Sequence, residues 1–194
     1  SNGMFEREKL ELLYCGSFYG FRRPDALLAA LSRLPGIRLS IAASTVPSNV
    51  REASLRTPDS VRLLGYLPHS EVLELQRSAD VLINISNDDP VQVPGKLYEY
   101  LGAGRPILQV GGFPLGEAGR LLELTGSGWN CGNSEEAVVK ALQDLEQRKS
   151  SYGESFGLSI HHDAVDGYSW NSLARVLLRT IDATNAGTVR DSQT

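Results

Sequence analysis

A chain of 194 residues with 19 Lys+Arg against 23 Asp+Glu, a formal charge of −4 and 41% apolar residues has the size and mixture of one globular domain. No apolar stretch reaches the roughly 18 residues of a membrane span, and the mild acidity gives no support for a nucleic-acid partner. Cys15 and Cys131 are far apart, each in an apolar context, and read as reduced, buried thiols rather than a disulfide scaffold or zinc site.

Residues 1–9 read as a cloning scar and a hydrophilic lead-in. Leu10 to Cys15 follows as a buried strand stopped by Gly16. Pro24 suits a first helical turn, and Leu27, Leu28, Leu31 and Leu34 carry the helical period to Pro35-Gly36. Ile37 to Ala42 is the second strand, Val46 to Leu55 a short helix, and Val61 to Leu64 the third strand, closed by Gly65. Ser70 is the expected N-cap of a helix through Ser78. Asp80 to Ile85 is the fourth strand, Gly95 to Gly102 a helix, and Arg105 to Val110 the fifth strand. Gly116 to Leu124 is helical and Gly128 to Cys131 is a sixth strand. Ser134 caps a helix through about Lys149, with Glu135 and Glu136 in its first turn where the dipole favours them. A last helix is expected from Ser169 to Asp182, and residues 184–194 read as a disordered tail.

Short strands alternating with helical patterns imply right-handed crossovers and a parallel sheet with helices on both faces. The expected organisation is a domain over 10–150, C-terminal helices over 151–183 and the tail. Ligands of such sheets bind beyond the carboxyl ends of the strands, at the switch point. Two segments there could carry chemistry. In Gly16-Ser17-Phe18-Tyr19-Gly20-Phe21-Arg22-Arg23, glycines let the backbone approach a ligand and the following helix start suits an anion. Taken alone, the same segment reads rather as an ordinary strand-to-helix turn with two solvated arginines. In Pro94-Gly95-Lys96-Leu97-Tyr98-Glu99, a helix opens with outward N–H groups at Gly95, Lys96 and Leu97. Lys96 and Glu99 share one helix face. Phosphates at the helix start and hydroxyls on the carboxylate would complement a nucleoside diphosphate. Spacing alone favours a surface salt bridge between Lys96 and Glu99 on an amphipathic helix.

Pro94 to Leu108 resembles the donor-binding signature of the group 1, or family 4, glycosyltransferases of the GT-B fold. Val61 to Leu67, Ser78 to Ile83, Gly126 to Trp129 with the Ser134 helix, and Tyr168-Ser169-Trp170 to Ala174 are similar to that family's segments in the same order, over about residues 10–182. The resemblance implies a Rossmann-like sheet of about six strands, the C-terminal half of a GT-B enzyme that takes a nucleoside-diphosphate-sugar donor. It implies that Glu99 receives the ribose hydroxyls and that Gly95, Lys96 and Leu97 face the diphosphate. Gly16 and Ser17 would form the turn beside the phosphates. Arg22, with Arg23 beside it, and Lys96 would stabilise the leaving group, and Tyr66 and Leu67 would frame the base.

It further implies no metal or other cofactor, an acceptor-binding N-terminal lobe of the same enzyme as partner, and little or no transferase activity for this lobe alone. The implied location is cytoplasmic, with the full-length enzyme peripheral to the inner membrane. Two positions depart from the pattern. Val91 stands where many members carry a second glutamate; Asp88 and Asp89 lie nearby at a different spacing. Ser17 stands where an arginine is frequent. These departures motivate a second reading, a non-catalytic interaction or regulatory module on the same fold. The histidines His69, His161 and His162 show no metal-ligand spacing. Trp129 and Trp170 read as packing residues.

Overall fold

The computed structural model describes residues 5–6, 8–20, 22–86, 93–112 and 116–169. Val91, Asp88, Asp89, Trp170 and the expected helix and tail beyond Ser169 lie outside them. The elements run β1 (Leu10–Cys15), α1 (Asp25–Arg33), β2 (Ile37–Ala42), α2 (Ser48–Arg56), β3 (Val61–Leu63), α3 (His69–Ser78), β4 (Val81–Ile85), α4 (Gly95–Ala103), β5 (Ile107–Val110), α5 (Glu117–Thr125), β6 (Gly128–Cys131), α6 (Glu135–Tyr152) and α7 (His162–Gly167). The strands form one sheet in the order β3-β2-β1-β4-β5-β6, and every neighbouring pair is parallel. The chain steps outward from β1 to β3, then returns to the other side of β1. The switch point therefore lies between β1 and β4, where the crossovers leave the strand ends open.

Alternation along the strands feeds two cores. Leu10, Leu12 and Tyr14 of β1 join Ile83 of β4, α1, α2 and α6 on one face. Leu13 and Cys15 join Leu82, α3, α4 and α5 on the other. Both faces are covered, which is why the strands read as nearly continuous apolar runs. α6 continues to Tyr152, past residue 150, and Phe156 is fully buried in the first core. The lead-in segment is also tied in: the Arg38 guanidinium donates to Glu6 at 2.8 Å.

Local differences from the sequence reading have physical causes. α3 begins at His69 behind Pro68, with no side-chain cap, so Ser70 falls inside the first turn instead of capping it. Proline, with a fixed φ and no N–H to give, occupies the N-cap position and starts the helix two residues before a Ser70 cap would. β5 begins at Ile107, not Arg105, because Pro106 has no N–H to give the ladder. β4 begins at Val81; the Asp80 carboxylate instead accepts from the Glu11 N–H at 2.9 Å and from Lys149 at 2.6 Å. Ser134 caps α6 as expected, accepting the Ala137 N–H at 3.2 Å. Cys15 is buried, whereas Cys131 is half-buried because β6 is an edge strand; both are free thiols. Burial pushes each thiol up to about 11, so neither is a thiolate nucleophile at neutral pH.

Candidate functional site

A cleft of about 280 Å³ opens beyond the ends of β1, β2 and β3. Its walls are the turn after β1 (Gly16, Ser17), the end of β2 (Ala43, Ser44), the turn after β3 (Gly65, Tyr66, Leu67) with His69, and Lys96 from α4. Gly16 has φ +125°, in the region that favours glycine. A Cβ there would lie 3.9 Å from Lys96 Cε, so the lysine stem passes over this turn. The Gly16 N–H also donates to Ala42 O at 3.1 Å, which ties the turn to β2.

Tyr100 sets α4 against the end of β1. Its hydroxyl accepts the Cys15 N–H at 2.8 Å and faces the Cys15 carbonyl at 3.4 Å, with the ring fully buried. This side chain satisfies the strand's last amide while fixing the helix start near the cleft. Tyr100→Phe should leave that buried amide without an acceptor and cost about 1–3 kcal/mol. Urea denaturation checks this as a lowered midpoint with an unchanged slope.

α4 starts behind Pro94, which has no N–H, and carries no side-chain cap. The Leu97 N–H is taken by Pro94 O at 2.9 Å and its side chain is buried in the core, so Leu97 serves packing here. The Gly95 and Lys96 amides are left as the outward donors of the first turn. Lys96 Nζ donates to both Glu99 oxygens at 2.9 Å. Gln76 of α3 donates its Nε2 to Glu99 Oε1. Burial works to raise the Glu99 carboxyl, but the hydrogen bonds from Gln76 and Lys96 and the lysine charge outweigh it. The carboxyl is held below the usual glutamate range and is ionised at neutral pH.

The Lys96–Glu99 pair is a salt bridge, and its lysine lines the cleft. Tyr66 is 78% exposed at the rim. Arg22 and Arg23 line a separate depression of about 490 Å³ with Tyr19, Thr45 and Asn49. Arg22 donates to the Tyr14 hydroxyl and the Ser17 carbonyl at 3.0 Å each and stacks on Tyr19 at 5.2 Å. Here its guanidinium shapes the loop rather than lining the Lys96 cleft. Another depression, about 410 Å³, lies between α4, α5 and Tyr168. Among the described residues, no three of His, Cys, Asp and Glu are grouped to hold a metal ion, and no helix is long and apolar enough to cross a membrane.

Sequence reasoning missed Gln76 and Tyr100. Tyr100 lies four residues after Lys96 on the same helix, and that i, i+4 relation was the only local sign that it could brace the site.

A six-stranded parallel sheet with helices on both faces, in the order β3-β2-β1-β4-β5-β6, is a Rossmann-like lobe of the GT-B kind. Neither a protein-family model nor a curated protein sequence matches the chain. Solved structures do. HepE of Anabaena, crystallised in complex with UDP, superposes with a TM-score of 0.73 at 11% identity, covering 91% of this chain and 49% of HepE. Sucrose-phosphate synthase of Thermosynechococcus elongatus gives 0.73 at 16% identity, covering 94% and 47%. UDP-GlcNAc 2-epimerase of Neisseria meningitidis, bound to UDP-GlcNAc, gives 0.59 at 12% identity, covering 91% and 45%. The chain spans about half the length of each, and likeness at these identities is a likeness of fold.

Proposed function

We propose that this chain is the nucleotide-sugar-binding lobe of a glycosyltransferase, one that moves a sugar from a nucleoside-diphosphate donor to an acceptor. The observation that carries this is Lys96: it lines the strand-end cleft over the Gly16 turn while gripping an ionised Glu99 one helix turn away. The lysine and the first-turn amides suit the diphosphate, and the carboxylate suits vicinal ribose hydroxyls. The HepE complex with UDP supports the same ligand class.

In this reading, charge grows on the diphosphate as the bond to the sugar breaks. Lys96 and the Gly95 and Lys96 amides are already in place to stabilise it. Arg22 would assist only after leaving Tyr14 and Ser17. The turn at Gly65 to Leu67 would frame the base. Fixed dipoles and a lysine serve the diphosphate without a metal or other cofactor. The acceptor site would come from an N-terminal lobe of the same enzyme, and the parent would work in the cytoplasm, peripheral to the inner membrane. The lobe alone would bind nucleotide weakly and transfer little or no sugar. The N. meningitidis epimerase motivates a second reading, a sugar-nucleotide epimerase lobe using the same donor cleft.

Calorimetric titration with UDP, GDP and ADP tests the shared core of both readings. One of the three is expected to bind, and Glu99→Gln to weaken it about tenfold through loss of a charged acceptor. No binding at millimolar ligand, with Glu99→Ala also without effect, would remove the nucleotide-site reading and favour the interaction module. With a partner lobe present, turnover of UDP-GlcNAc without acceptor separates epimerase from transferase.

A further inference from the structure

Gln76 is 0% exposed, a polar side chain inside the apolar core formed by α3, α4 and α5. Its Nε2 donates to Glu99 Oε1, while its own Oε1 is buried with no hydrogen-bond partner among the described residues. The orientation of the amide follows from chemistry, since an ionised carboxylate only accepts. An unbonded buried carbonyl costs stability, and an apolar side chain of the same length would avoid that cost. Packing therefore does not account for a glutamine here; its side-chain hydrogen bonds, to Glu99 and to the Cys15 thiol, do.

The carboxylate it grips is divided unequally. Glu99 Oε1 receives both Gln76 and Lys96, whereas Oε2 receives Lys96 alone. A carboxylate oxygen has two acceptor sites. Oε1 is thus filled from the protein side, and Oε2 keeps capacity for an incoming donor. The α3 helix that carries Gln76 also carries His69 at the cleft wall, so one rigid element holds both the carboxylate and the rim.

We propose that Gln76 is a positioning residue for Glu99: it pins Oε1 so that Oε2 receives a sugar hydroxyl, and this sets a preference for ribo- over deoxyribonucleoside diphosphates. The inference rests on the reading of the cleft as a nucleotide site. Gln76→Met keeps the length and volume but removes the amide. The substituted chain should unfold at the same or a higher urea concentration, because a buried unbonded carbonyl is gone.

The selective readout is the ratio of dissociation constants for 2′-deoxy-UDP and UDP. The unsubstituted chain should favour UDP by about tenfold or more, and Gln76→Met should bring the ratio to about two or less, with 2′-deoxy-UDP binding little changed. In the unsubstituted chain, the Gln76 side-chain amide NMR signal should shift more with UDP than with 2′-deoxy-UDP. If UDP binds with its preference intact in Gln76→Met, or the amide signal responds equally to both nucleotides, the positioning role is overturned and the nucleotide site stands. If the unsubstituted chain binds neither, the site reading falls and this role with it.

Discussion

Lys96→Ala is expected to weaken UDP binding by about 10- to 100-fold, equivalent to the roughly 1.5–3 kcal/mol carried by hydrogen bonds to charged groups. Two effects act in the same direction. The ammonium that would face the diphosphate is lost, and the Glu99 carboxylate it neutralised is left bare beside the phosphates. Inorganic pyrophosphate separates the roles. Its binding should fall with Lys96→Ala, yet hold or tighten with Glu99→Gln, since pyrophosphate has no ribose to present. Calorimetry at fixed, moderate ionic strength is the measurement, because exposed charge interactions are screened by salt.

A Lys96→Ala affinity within twofold of the unsubstituted chain would reject the phosphate role. The pH dependence follows from the depressed Glu99 carboxyl. Affinity for UDP-glucose, whose diphosphate does not titrate in this window, should hold from neutral pH down through the ordinary glutamate range, about pH 4.3 for an unperturbed side chain. It should fall only below that, as the ribose acceptor is protonated.

Arg38→Met should destabilise the fold by about 3–5 kcal/mol. Arg38 and Glu11 lie on neighbouring strands in register, at the amino-terminal end of the sheet and away from the cleft. Arg38 is 6% exposed and Glu11 1%. The guanidinium donates to Glu11 Oε1 at 3.2 Å, and Glu11 Oε2 has no partner among the described residues. Removing the arginine leaves a buried carboxylate with, among the described residues, only the Glu6 N–H, at 2.9 Å.

The double substitution Glu11→Leu with Arg38→Met should recover most of the loss, because two apolar side chains no longer require a charge partner. Urea denaturation of the single and double variants gives the coupling. Near-equal midpoints for Arg38→Met and the unsubstituted chain would show that the pair contributes little. Neither substitution touches the cleft, so UDP affinity should be unchanged while the chain is folded.

Much of the architecture was legible in the sequence for a local reason. Leu10 to Cys15, Ile37 to Ala42 and Gly128 to Cys131 are strands over the bounds their apolar runs suggest. The Ser134 cap was legible because its partner, Ala137, is three residues away. The Ser70 cap was misplaced because a serine before a helical pattern carries the same signal whether it caps or sits in the first turn; Pro68 decided between them. Gly128 shows a further limit. Its sequence suggests only a strand start, but a Cβ there would fall 1.9 Å from Ile107 O, so glycine is required by the neighbouring strand.

The site was legible where it is written on one helix and hidden where it spans several. Lys96 and Glu99 are three residues apart, and their pairing follows from helix geometry alone. Gln76 lies 23 residues from Glu99, and Tyr100 lies 85 from Cys15. No local pattern reports such meetings. Arg22 shows the converse. Its charge and position in the turn pointed to the donor cleft, but the Tyr14 hydroxyl and Ser17 carbonyl hold it over a neighbouring depression.

By itself the sequence determined an alternating α/β chain with a parallel sheet, because hydrophobic period, prolines and glycines act within a few residues. The tertiary structure decided which turns share a cleft. The order β3-β2-β1-β4 brings the turns at Gly16, Ser44 and Gly65 beside Lys96, and packing of α3 on α4 buries Gln76 against Glu99. Those contacts are non-local: they arise only when strands and helices distant in sequence bury their apolar faces together, and polar groups then find partners among the neighbours that burial supplies.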